Sequence, residues 1–194
     1  TAMAPIAILG TFSPSQLLRL SGIASGIPVF NVHAPDDGLR EECRANLFHT
    51  IPSHAMKFDA LQQWRRKHPE STAKVATWHH DFKKYAASQL NQRYEKAQGR
   101  PMTSEAWAAW AAVKLVADTI ARTQNSSTTA LISELQTNIS FDGQKGIGLS
   151  FRKTGQLRQP LLLVESGKIV GEAPVQGIVG GTNLDSLGLP DCPK

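Results

Sequence analysis

The sequence has 194 residues, 41% of them hydrophobic and 19% charged, with a formal net charge of +5. That length suits one compact domain with a real core, or two very small ones, and no apolar run approaches the length of a membrane span. The positive balance suits an anionic partner, but the basic residues are scattered apart from Arg65-Arg66-Lys67, and no nucleic-acid-binding module is recognisable, so no nucleic-acid partner is expected.

The opening Thr1-Ala2-Met3-Ala4-Pro5 carries no leader pattern, reads as a mature end, and leaves export open. Ile6–Leu9 is a short apolar run ending at Gly10, and Gln16–Leu20 reads as a helix. Ser13 is a good N-cap for it, and Pro14 suits the first helical position. Gly22 and Gly26 break that helix, and Ile27–Val32 is a second buried strand. A strand–helix–strand unit of this kind implies a parallel sheet and an α/β fold with three layers. Asn46–Ile51 is a third strand candidate, and Pro52-Ser53 open a helix from about His54 to Lys67. His68–Thr72 is the best linker candidate. Lys74–Trp78 reads as a short strand and Asp81–Gln98 as a helix stopped by Gly99 and Pro101. Thr103 or Ser104 caps a long alanine-rich helix over Glu105–Thr123, in which Asp118 and Arg122 are spaced to pair. A short helix follows over Thr128–Gln136. From Phe141 onward the turns are glycine-punctuated, and Leu161–Val164 and Lys168–Val170 flank the hairpin turn Glu165-Ser166-Gly167.

Cys43 and Cys192 form neither a CxxC nor a CxxCH pattern, so zinc ribbons, thioredoxin chemistry and haem attachment are unsupported. A bond between them would tie the C-terminal tail down in an oxidising compartment; two unrelated thiols is the alternative reading.

Several polar groups gather at expected strand ends. Thr11 and Ser13 place hydroxyls at a helix N-terminus, which suits a carboxylate or phosphate, although an ordinary cap explains them as well. Asn31, His33, Asp36, Asp37 and Arg40 form a dense set after the second strand, the edge at which open α/β sheets gather ligands. The competing reading is a surface turn with Asp36 as a cap. His49 and Ser53 follow the third strand. Trp78 and His79 could stack on a flat ligand and donate to its oxygens, against ordinary core packing of Trp78. No metal site is expected, because adjacent carboxylates point apart and no His-x3-His spacing supports them. No Gly-x-Ser-x-Gly elbow or cleft carboxylate pair is present, so no enzyme activity is expected.

The closing stretch Phe141-Asp-Gly-Gln-Lys-Gly-Ile-Gly-Leu-Ser-Phe151 with its final hairpin resembles the end of type 1 periplasmic solute-binding proteins of ABC transporters. The stretches Gly26–Arg40, Glu42–Met56, Trp78–Phe82, Gln89–Arg93, Gly99–Met102 with Trp107–Trp110, Phe151–Pro160 and Leu184–Gly188 resemble one subgroup of that family. This subgroup is associated with quinoprotein alcohol oxidation and pyrroloquinoline quinone (PQQ). The resemblance implies a parallel-sheet three-layer α/β domain like one lobe of such a protein, spanning residues 1–194. Family members are two-lobed and longer, so the chain reads as beginning partway through the first lobe and losing most of the second near residues 68–74. The function implied is periplasmic capture of a small ligand, PQQ or another small anion, with an ABC transporter permease as partner and no resident cofactor. Stacking by Trp78 and donation by Arg40 and His49 would serve PQQ. The alternative is a non-transport accessory of a quinoprotein dehydrogenase system, self-associating as a homodimer.

Overall fold

The computed structural model describes residues 5–178 and 183–193; Thr1–Ala4, most of the opening segment read above, lie outside them. The chain opens with β1 (Ile8–Gly10), α1 (Pro14–Ile23), β2 (Val29–Asn31), the single turn α2 (Gly38–Glu41) and β3 (Leu47–His49). The strands are shorter than the apolar runs that contain them. They pair in parallel in the order β1-β2-β3, with Phe30 opposite Leu9 and Phe48. Ser13 caps α1 as expected, and Gln16 completes a reciprocal capping box.

Successive strand residues face opposite ways. Val29 and Leu47 pack with Leu17 of α1 and Leu39. Phe30 and Phe48 pack with Trp107 and Leu115 of α5 (Ser104–Thr123) and Leu131 of α6 (Thr128–Thr137). The result is three layers, helix, parallel sheet, helix, as the alternation of apolar residues implies.

The rest of the chain is built differently. After α3 (His54–Lys67), β4 (Lys74–Ala76) pairs antiparallel with β7 (Leu161–Glu165), which pairs antiparallel with β8 (Lys168–Ala173). Ser166 and Gly167, both at positive φ (50° and 74°), make the tight hairpin turn. Leu161 and Leu163 pack on Met56 and Ala60 of α3, while Leu162 faces the larger core shared with Phe30 and Phe48. A two-stranded ladder, β5 (Phe141–Asp142) with β6 (Gly148–Leu149), lies between α6 and β7 in the chain. The stretch after α3 is fastened rather than loose: Trp64 Nε1 donates to Ser71 Oγ (2.9 Å), and Ser71 Oγ donates to Glu165 (3.1 Å).

Two local expectations are corrected. The helix expected from Asp81 is α4, and it begins at Ala87 and ends at Gln98. Tyr85 (φ 52°) and Ala86 (φ 64°) are left-handed, and a right-handed helix cannot run through them. The Asp118–Arg122 pair does not form. Asp118 takes Lys114 one turn earlier (2.8 Å), and Arg122 reaches across to Glu134 of α6 (2.8 Å).

Cys43 and Cys192 are joined in a disulfide, which settles the open pairing. The tail before it, including a 3-10 turn over Leu184–Ser186, is held by Arg152, whose guanidinium donates to the carbonyls of Leu184, Leu187 and Leu189 and to Asp185.

Candidate functional site

A cleft of about 580 Å³ opens beyond the carboxyl ends of β2, β3 and β4. One wall carries His33, Pro35 and Ile51 from the loops after β2 and β3, with Lys57 from the first turn of α3. The other carries Thr77, Trp78, His79 and His80 after β4, and Thr103–Glu105 at the start of α5. This is the edge at which open α/β sheets bind ligands.

The second wall is assembled by one hydroxyl. Ser104 Oγ accepts the N–H groups of Thr77 (3.1 Å) and Trp78 (3.3 Å), locking the end of β4 to the start of α5. Thr103 caps α5 by accepting Ala106 N–H. The positive end of a long helix is thereby presented at the cleft, with Glu105 in its first turn. Burial holds the half-buried Lys57 ammonium below its ordinary pKa, against the opposing pull of Glu105. Burial, then His80, lowers the His79 pKa, which favours neutral imidazole near neutrality. His79 Nδ1 accepts Asp81 N–H (3.2 Å), so Nε2 is left as the donor. The Thr77 hydroxyl is buried and has no hydrogen-bond partner among the described residues.

Of the candidates from the sequence, the cleft brings together His33, Trp78 and His79. The Trp78 ring is not a free platform: it stacks on Trp107 (5.8 Å) and donates Nε1–H to Asn91 (2.7 Å), so it belongs to the core. Asn31, Arg40, His49 and Ser53 are buried behind the first wall. Asn31 accepts the N–H groups of His33 and Ala34 and meets His49 Nδ1 at 3.0 Å, which shapes the His33 loop. Arg40 donates to the carbonyls of Ala34, Asp36 and Ile51 and to Gln156 Oε1, so the donors expected for a ligand are spent on the protein itself. Burial pushes its guanidinium down to about 9, the nearby Asp37 and Asp36 opposing the shift, and it stays charged near neutrality. Burial, with Arg40 adding to it, holds His49 well below its ordinary pKa, hence neutral. Ser53 caps α3 by accepting Met56 N–H (3.2 Å), and Asp37 accepts Ala55 N–H (3.0 Å) at the same helix start. Asp36 is exposed just before α2, whose N-cap position falls on Asp37 and not on it. Thr11 and Ser13 sit exposed at the start of α1, outside the cleft lining.

Sequence reading missed Gln156, Gln159 and Lys145, which complete the support. Gln156 Nε2 donates to the carbonyls of His49 and Ile51, and Gln159 Nε2 to that of Thr50 (2.8 Å). Lys145 Nζ bonds Thr77 O, Gln159 Oε1 and Pro160 O and lies 4.2 Å from the Trp107 ring centroid. One signal for this loop existed. Gly155 has φ +74° and lies against the Leu47 backbone carbonyl, where any side chain would collide. As to metals, His79, His80 and Asp81 offer ligand atoms within 4.8 Å of one another at the cleft lip, the one such group among the described residues.

No protein-family model matches the sequence. A search of curated proteins likewise finds no match. Solved structures do match. An ABC transporter substrate-binding protein from Desulfitobacterium hafniense superposes with a TM-score of 0.71 at 10% identity, over 84% of this chain and 79% of that one. A branched-chain amino acid ABC transporter periplasmic ligand-binding protein from Burkholderia xenovorans LB400 gives 0.68 at 8% identity, over 86% and 75%. An ABC transporter solute-binding protein from R. palustris in complex with benzoate gives 0.64 at 11% identity, over 85% and 76%. The fold is therefore α/β, with a parallel sheet and flanking helices matching one lobe of a type 1 periplasmic binding protein.

Proposed function

We propose that this chain is a periplasmic small-ligand-binding protein, related to the substrate-binding components of ABC transporters, that takes a small anion in the cleft and hands it to a transporter permease. Binding rather than catalysis is the activity. The observation that carries the reading is the cleft itself, placed beyond the strand ends with the start of α5, Lys57, His33 and the His79 Nε2 donor around it. A carboxylate there would meet a helix N-terminus, an ammonium and an imidazole donor. The disulfide supports an oxidising compartment. That no helix among the described residues is long and apolar enough to cross a membrane is compatible with this reading.

PQQ, a flat tricarboxylate, is the first ligand to try. With Trp78, Arg40 and His49 committed to the core, its recognition would rest on charge and donors at the cleft rather than on stacking. Titration calorimetry and a melting curve with PQQ test the proposal. Saturable heat and a raised melting temperature are expected, with affinity weakened about tenfold in Lys57→Gln. Absence of heat together with no protection at high PQQ overturns PQQ as the ligand. The same pair of measurements with simple carboxylates then decides the broader anion reading.

A further inference from the structure

A second cavity, of about 520 Å³, lies between the end of α3, the Lys84–Tyr85 turn, the 145–147 segment and the end of β8, and shares no lining residue with the cleft. Two aromatic rings line it, each seated on a glycine. Trp64 packs over Gly171, where a Cβ would come within 2.5 Å of the ring. Its Nε1–H is held by Ser71, and its other neighbour is His68, stacked at 3.9 Å. The Tyr85 ring lies against Gly146 (φ +81°), where any side chain would collide with it. Tyr85 is 51% exposed, yet it and Ala86 hold consecutive left-handed conformations that L residues avoid. Strain of this kind persists where the surroundings over-determine it, and it clusters at functional sites.

The charge around these rings is unbalanced. Lys67 and Lys84 line the cavity against the single carboxylate of Glu172. Lys145 lines it too, but it is buried, and desolvation holds its ammonium well below the ordinary pKa, so it contributes packing rather than charge. Glu172 is taken by Lys84 (2.7 Å). Lys67 donates to the Gln176 carbonyl, and the buried Lys145 donates to two carbonyls and an amide oxygen, so both meet neutral acceptors in these contacts. A cavity with the exposed Tyr85 ring, the edge of Trp64 and the Lys67 ammonium beyond the Lys84–Glu172 pair complements a planar anion.

We propose that this cavity is a second small-molecule site, for a flat aromatic carboxylate whose ring packs on Tyr85 beside the edge of Trp64 and whose carboxylates meet Lys67 and Lys84. The site does not depend on the cleft reading and can stand or fall separately from it.

The test is titration of the intact protein with a naphthalene dicarboxylate, followed by calorimetry, beside the saturated decalin dicarboxylate of the same charge. Saturable binding of the aromatic acid at roughly millimolar concentration or below is expected, with clearly weaker binding of the saturated one. The double variant Lys67→Gln/Lys84→Gln and the variant Tyr85→Ala alter exposed side chains. Each should weaken binding about tenfold or more, while Lys57→Gln in the cleft should leave it unchanged. No binding to the wild-type protein overturns the proposal. So does binding that ignores both cavity variants, binding equal for the two acids, or binding lost in Lys57→Gln, which would move the ligand to the cleft.

Discussion

Arg40 and Arg152 are both almost fully buried, at 2% and 3% exposure, and each bonds three backbone carbonyls. Arg40, behind the parallel-sheet end, meets no carboxylate directly; its fourth partner is the neutral amide of Gln156. Arg152, beneath the C-terminal tail, meets Asp185 at 2.9 Å, and Asp185 is shared with Arg158 at 2.8 Å. A charge solvated mainly by fixed dipoles depends on every one of them, because Asp37 and Asp36 act on it without direct contact. A charge neutralised near the surface has a partner that water can also reach. The strand-end region should therefore be the brittle part of the molecule and the tail the tolerant part.

The largest expected effect is that of Arg40→Met, a loss of about 3–5 kcal/mol in stability by denaturant titration, because three carbonyls and the Gln156 amide oxygen lose their donor at about 1–3 kcal/mol for each one left unsatisfied. Arg152→Met should cost less, about 1.5–3 kcal/mol, the range for hydrogen bonds to a charged group. The disulfide keeps the tail joined to Cys43 after the guanidinium is gone. Equal losses in the two variants would abolish the distinction.

The smallest effect is in pH. His49 has its folded pKa depressed by burial, so below about pH 6.5 the unfolded chain binds the proton that the folded chain refuses. Stability then falls as pH falls, by about 1.4 kcal/mol per unit at most. His49→Gln should flatten that slope. For Asp185, burial works toward a higher pKa, but its bonds to Arg158 and Arg152 outweigh it and lower the value below 3.8. The stability it contributes is present above that range and lost only as pH falls through it. Acid should thus weaken the Arg40 region first and the Arg152 region later. Hydrogen exchange at β3 and at residues 184–189 across this range would show the order.

What the sequence reveals follows from how local each feature is. The cap Ser13, the strand–helix–strand opening, the stop at Gly99 and the final hairpin depend on neighbours in the chain, and they read out directly, whereas Thr103 and Ser104 are equal as caps until the structure chooses Thr103. The late start of α4 does not, since nothing in Asp81–Ala86 forbids a helix; the left-handed turn coincides with a contact between Tyr85 and the distant Gly146. The antiparallel pairing of β4 with β7 joins segments far apart in sequence, and strand composition carries no direction. The edge that holds the cleft was legible because polar residues follow apolar runs there. The fate of each polar residue was not. Arg40, with its long-range partner Gln156, and His33, exposed to solvent, look alike as letters. Gln156 and Gln159 have no local pattern to betray a buried role, and their partners lie more than a hundred residues upstream.

The Cys43–Cys192 bond also has a consequence in time. The two residues are 149 apart in sequence. At synthesis rates of about 5–20 residues per second, Cys43 is made roughly 7–30 s before its partner exists. Throughout that interval it is a single thiol on a nascent chain, open to any other sulfur it meets. A host that makes this protein well must keep Cys43 unpaired for that interval and then oxidise it onto Cys192.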